Sequence, residues 1–139
     1  MRNRKTENGY LLRLEKGEEL VEALTSFCKE HKITAGFLYG LGGTTSATLG
    51  YYNLGSNEYK FTHLDDLVEI ANLSGNVAVK EGEPFLHLHA TVADSLLRTF
   101  SGHVKELKVG GTCEIHLTVF NEPLERRKDT YTGLDLLDI

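Results

Sequence analysis

Three histidines carry the clearest chemistry in this chain. Two of them, His87 and His89, stand two residues apart in Gly82-Glu83-Pro84-Phe85-Leu86-His87-Leu88-His89-Ala90-Thr91-Val92, a run with the pattern of a β-strand. Side chains alternate across a strand, so His87 and His89 share a face with Phe85 and Thr91. Leu86, Leu88, Ala90 and Val92 take the opposite face and suit a core. Positions i and i+2 of a strand lie roughly 6.5 Å apart, close enough for two imidazoles to lean onto one ion. His103 follows a turn-like segment ending in Ser101-Gly102. Three neutral imidazoles are a known ligand set for zinc with one coordination position left open. An ion held in this way lowers the pKa of bound water and polarises carbonyl groups. A His-X-His pair also fits a solvated polar strand face, and the spacing leaves both readings standing. Glu83 and Glu114 are the nearest carboxylates from separate elements, candidates to hydrogen-bond the ligating imidazoles or to touch a substrate. His63 and His116 read as surface or interface histidines.

The elements that must position these residues follow from periodicity. Gly9 to Leu14 alternates as a first strand. Glu18 to His31 repeats apolar residues at helical spacing, with Leu20, Val21, Leu24, Phe27 and Cys28 near one face. Glu18 and Glu19 in its first turn, and Lys29, His31 and Lys32 at its end, suit the helix dipole. Ile33 to Leu41 reads as a strand, Gly40-Leu41-Gly42-Gly43 as a sharp bend, and Thr44 to Leu54 as the next strand. That glycine-rich stretch lacks the Lys-Ser/Thr and following helix of a phosphate loop, so no nucleotide cofactor is indicated. Gly55-Ser56-Asn57 is a hairpin turn, with Glu58 to His63 returning. Leu67 to Leu73 is a strand, Ser74-Gly75-Asn76 a turn, and Val77 to Lys80 its continuation. After the histidine strand, Asp94 to Phe100 suits a short helical turn. Gly102 to Leu107 reads as a strand carrying His103, Val109-Gly110-Gly111 as a turn, and Thr112 to Phe120 as an alternating strand. The tail from Asp129 to Ile139 holds Leu134, Leu136, Leu137 and Ile139 and is expected to dock on the body. Many strands with one principal helix predict an α+β fold built on a mostly antiparallel sheet.

Composition sets the outer limits. The chain has 139 residues, 40 % hydrophobic and 25 % charged, which fits one soluble domain over 1–139. Residues 1–8 are polar and expected to be disordered. They contain no apolar signal core, and no apolar run approaches the ~20 residues that span a bilayer, so a cytoplasmic, membrane-free protein is expected. Cys28 and Cys113 form no framework and read as small core residues. The net charge of −5, from 15 basic and 20 acidic residues, disfavours DNA as a partner, because non-specific DNA affinity comes from phosphate neutralisation. Two basic clusters remain. Arg2, Arg4 and Lys5 lie in the terminus. Arg126, Arg127 and Lys128 are flanked by Glu122, Glu125 and Asp129, with which they can pair.

In order along the chain, Gly40-Leu41-Gly42-Gly43, Ala47-Thr48-Leu49-Gly50-Tyr51-Tyr52 and Glu69-Ile70-Ala71-Asn72-Leu73-Ser74-Gly75-Asn76 resemble motifs of the plant and prokaryote conserved (PPC) domain. So do Gly82 to His89, Ser101-Gly102-His103-Val104, Thr112-Cys113-Glu114-Ile115, and Leu124-Glu125-Arg126 with Asp129 and Thr132-Gly133-Leu134. Ser101 departs from the pattern, which more often has a second glycine there. The resemblance implies a strongly bent, mostly antiparallel sheet with one principal helix, a homotrimer, and a stand-alone prokaryotic type without the Arg-Gly-Arg-Pro-type AT-hook of plant members. Three functional classes stay open: a divalent-metal protein, with zinc favoured, that binds or processes a small molecule; a DNA-binding regulator; and a trimeric scaffold without chemistry.

Overall fold

The computed structural model describes residues 1–66 and 68–139. Its elements are β1 (Arg2–Thr6), β2 (Gly9–Glu15), α1 (Leu20–Glu30), β3 (Gly36–Asn53), β4 (Glu58–Leu64), β5 (Val68–Lys80), β6 (Glu83–Ala93), β7 (Thr99–Val119), β8 (Arg126–Lys128) and β9 (Asp135–Leu137). The expected α+β class holds: one helix accompanies a seven-stranded antiparallel sheet ordered β1-β2-β7-β6-β5-β3-β4. An additional β7–β3 pairing closes β7, β6, β5 and β3 into a ring. Short β8 and β9 form a separate ribbon.

The strands are fewer and longer than their glycines suggest. Gly40 to Gly43 does not end a strand; β3 runs through it with a register shift between Gly40 and Gly42. Ser74-Gly75-Asn76 lies within β5, and Gly110-Gly111 lies within β7. The start of the strand expected from Leu67 lies outside the described residues; β5 is seen from Val68. Irregular register between β3 and β7, at Gly42/Thr44, Thr44/Ser46 and Thr48/Leu49, places extra residues on one strand, and such bulges bend and twist a sheet. The glycines sit where strands crowd. A Cβ on Gly75 would lie 2.1 Å from the His87 carbonyl oxygen, and one on Gly102 would lie 2.7 Å from that of Gly50. Only a residue without a side chain tolerates this approach.

Turn chemistry agrees better with expectation. Glu81 and Gly82 both have positive φ, at 53° and 84°, and join Lys80 to its partner Glu83. Two central residues with positive φ make the hairpin turn that matches strand twist. Between β6 and β7 no helical turn forms. Asp94 instead caps the loop, accepting from the backbone N–H of Leu96 and Arg98 at 2.9 and 3.0 Å.

Alternation fills the interior. Leu88, Ala90 and Val92 of β6, Val104, Leu107 and Val109 of β7, and Leu73 and Val77 of β5 are buried. Helix α1 adds Leu20, Leu24, Phe27 and Cys28. An 11-residue helix is marginal alone in water, so this packing holds it. Glu19 supports its start twice: one carboxylate oxygen accepts from the Glu22 N–H at 2.7 Å, the other from the Leu107 N–H at 2.9 Å. Cys28 and Cys113 are buried and unpaired, and burial pushes both thiols up to about 12.

The expectation for the first residues is corrected, and the expected docking of the tail is found with different contacts. Residues 1–8 do not fray: Arg2–Thr6 pairs along β2, and Arg2 Nε donates to Glu15 at 2.9 Å. The tail docks, but not through all its leucines. Leu136 and Ile139 are exposed. It is held by polar contacts instead: the Val79 N–H donates to the Leu124 carbonyl at 2.7 Å, Tyr52 donates to the Thr132 carbonyl at 2.7 Å, and Lys80 pairs with Asp135 at 2.8 Å.

The substitution Gly75→Ala should destabilise the protein by about 1–3 kcal/mol, the usual range for forcing atoms into a packed site. The urea-unfolding midpoint checks this, with Gly111→Ala as control, because a Cβ there meets nothing within 4 Å.

Candidate metal centre

The three histidines converge through register. His89 of β6 lies directly opposite His103 of β7, and cross-strand partners bring their Cβ atoms to about 4.5–5.5 Å. His87 follows on the same face of β6. The ring centroids are 5.2 Å apart for His87 and His89, 5.3 Å for His87 and His103, and 5.6 Å for His89 and His103. One ring nitrogen from each lies within 4.8 Å of the others. The nitrogens of a tetrahedral zinc site stand roughly 3.3 Å apart for Zn–N bonds of about 2.05 Å, so modest side-chain rotation closes the gap. Among the described residues this is the one group of three or more metal-ligating side chains so arranged.

Two further observations fit an ion. His103 Nδ1 is buried with no hydrogen-bond partner. A buried polar atom left unsatisfied costs about 1–3 kcal/mol, and coordination would satisfy it. His87 and His103 are also pushed towards the neutral imidazole, the form that ligates. Burial, then the Arg126 guanidinium, then the neighbouring histidines pull His87 down to about 4. Burial, His89 and Arg126 lower His103 as well. His89 is exposed while His87 and His103 are half-buried, so the group opens to solvent on one side.

The walls come from residues that local sequence pattern did not indicate. The Tyr59 ring lies 5.0 Å from that of His103 and stacks on Phe61 at 5.3 Å. Burial raises the Tyr59 phenol above its ordinary value. On the other side stands Arg126. Its Nη2 donates to Asn76 Oδ1 at 2.6 Å, and Asn76 is the β5 partner of His87. Its Nη1 donates to the Asp135 carbonyl at 2.6 Å, and its guanidinium lies 4.9 Å from the Phe85 ring centre. Sequence placed Phe85 on the histidine face, but read Arg126 within a self-pairing charge cluster. No spacing rule links Arg126 to a strand so far away along the chain.

The other sequence candidates lie elsewhere. Glu83 pairs with Lys29 at 2.6 Å at the start of β6. Glu114 sits far along β7, lining a separate cavity of about 770 Å³ with Arg2, Arg4, Arg13 and Tyr39. His116 shares a 2.7 Å hydrogen bond with the Tyr39 hydroxyl in that cavity's wall. His63 shares one of 2.9 Å with Thr48. Ser101 occupies a regular strand position opposite Thr91 and bonds to its hydroxyl at 2.9 Å, so His103 stands on a strand and not on a loop.

The depressed His87 value sets a pH dependence for the metal-free protein. Below about 6.5 the unfolded chain binds a proton that folded His87 refuses. Stability should therefore fall as pH drops from about 6.5 towards about 4. Urea midpoints across this range should show the decline, and His87→Asn should flatten it.

Comparison with known proteins fits this geometry. The model of the Plants and Prokaryotes Conserved (PCC) domain matches residues 1–121. A candidate DNA-binding protein of known structure from Ralstonia eutropha is 33 % identical, with a TM-score of 0.93 over 99 % of this chain and 95 % of its own. A protein from Archaeoglobus fulgidus, described as metal-containing, is 34 % identical, with a TM-score of 0.85 over 99 % of each chain. The bifunctional protein GlmU of Synechococcus sp. (strain JA-3-3Ab) is 34 % identical over 97 residues, 69 % of this chain and 14 % of GlmU. The chain thus spans well under two thirds of the curated relatives it matches. With nearly all of its ordered fold inside the matched region, the chain belongs to the Plants and Prokaryotes Conserved domain family.

Proposed function

We propose that this chain is a metal-binding protein in which His87, His89 and His103 hold one divalent ion, zinc by preference, in an open site that takes a small molecule. The observation that carries this reading is the convergence of three imidazoles, one with a buried nitrogen lacking any partner. The metal-containing neighbour from Archaeoglobus supports it. Neutral imidazole suits zinc, nickel, iron and copper, so supply and geometry choose among them. When bound, the ion would supply a Lewis acid and an activated water. The chain's own residues would orient the ligand: Tyr59 forms an aromatic wall, and Arg126 a cationic one.

We propose also that the protein is a cytoplasmic homotrimer. Among the described residues no helix is long and apolar enough to cross a membrane, and two unpaired thiols suit a reducing compartment. For assembly the support is an uncovered sheet face on β2 and β3, where Leu11, Phe37, Tyr39 and Leu41 are 48–59 % exposed. Apolar side chains so grouped favour burial against another copy. A second reading, DNA binding, is favoured by the description of the Ralstonia neighbour and by the basic residues Arg2 and Arg4 on edge strand β1. It requires an affinity that falls steeply with salt.

Protein purified without a histidine tag should contain one metal equivalent per chain by elemental analysis. His87→Ala with His89→Ala should abolish that metal without unfolding the chain, because this face is not the core face. A full equivalent in the double variant would refute the site. Light scattering should give about three chain masses, and Leu41→Arg should lower the mass. A gel-shift assay on duplex DNA should show no band that weakens with salt.

A further inference from the structure

We infer that Arg126 makes the open side of the histidine centre a binding site for a small carboxylate, with one oxygen on the metal and the other on the guanidinium; this rests on the metal reading above. Arg126 is a half-buried cation that, among the described residues, forms no ion pair. The Asp135 side chain is taken by Lys80, and Arg126 reaches only the Asp135 backbone carbonyl and the Asn76 amide oxygen. Its Nε is buried and makes no hydrogen bond. These contacts fix the guanidinium plane over Phe85, whose neighbour on the same strand face is His87. Arg126's partner Asn76 lies directly opposite His87 in the pairing of β5 with β6.

Charge bookkeeping then selects the ligand. Three neutral imidazoles leave a divalent ion its full charge, and no carboxylate belongs to the histidine group. Arg126 adds another positive charge within a half-buried pocket. Such an excess calls for an anion. Nη1 and Nη2 each carry a second N–H beyond those given to Asp135 and Asn76, and such a guanidinium offers a planar donor edge that matches the planar oxygens of a carboxylate. The Tyr59 ring, backed by Phe61, borders the same group and would lie against the organic remainder of the acid.

Cobalt-loaded protein tests this, because the visible bands of cobalt report a change of ligand without any assay of activity. Acetate should shift the bands saturably in the wild type. Arg126→Met should load the same cobalt but bind acetate roughly ten-fold more weakly or worse, the loss of one charge-assisted hydrogen bond. Arg126→Lys keeps the charge without the N–H edge and guards against misfolding of the methionine variant; it should weaken acetate several-fold. Equal acetate affinity in either variant would overturn the inference, as would wild-type bands that acetate does not move. Tighter binding of inorganic phosphate than of acetate would overturn the carboxylate class. Failure of the wild type to load cobalt would instead remove the metal reading, and this inference with it.

Discussion

The pairing of β7 with both β6 and β3 is the constraint on which this structure turns. From Thr99 to His103 it runs against β6, and from His103 onward it runs against β3. His103 takes part in both, opposite His89 on one side and Gly50 on the other. That double engagement closes the ring of β3, β5, β6 and β7. It also fixes the third imidazole beside the first two. A β7 that slipped by one residue would turn His103 inward and Val104 outward, exposing a core residue and dispersing the histidines together. Fold and site therefore share one register, and the buried side chains that set it, Leu88, Ala90, Val104 and Leu107, also hold the site.

Much of this was legible in the sequence, and the reason is parity. Period-2 alternation in Phe85 to Val92 assigns each side chain to a face without knowledge of the partner strand. The same rule separates Cys113, Ile115 and Leu117, which are buried, from Glu114 and His116, which are not. The helix was legible from its spacing and end charges. Glycine pairs were misread because a glycine has two structural uses with one sequence appearance. It ends a strand when the chain turns, and it bends one when a neighbouring backbone comes close. Gly82 is the first kind, with a φ of 84°; Gly75 is the second, crowded by the His87 carbonyl. Only the partner strand distinguishes them.

Arg126 marks the limit of local reading from the other side. Its neighbours Glu122, Glu125 and Asp129 offered an obvious set of partners. In the fold, Asp129 instead accepts from Thr132 in its own turn, and Lys80 takes Asp135. What brings Arg126 to the histidines is the anchoring of the chain just before it. The Val79 N–H donates to the Leu124 carbonyl, and Val79 forms a parallel bridge with Glu125. Side-chain chemistry then follows from backbone position, which no charge pattern encodes.

The electrostatics of the site follow from these placements. His87 and His103, half-buried beside a fixed cation, resist protonation, because burial and then the neighbouring guanidinium and rings oppose the added charge. The same arrangement that favours the neutral form of these two imidazoles leaves the region short of negative charge. Neutral donors favour a cation at the centre of the three rings, and the cation at the rim favours an anion above them. These two tendencies reinforce one another, since an anion at the rim would also screen a bound ion from Arg126. The position of one arginine, set by a short tail strand, thereby bears on both the occupant of the histidine group and what approaches it.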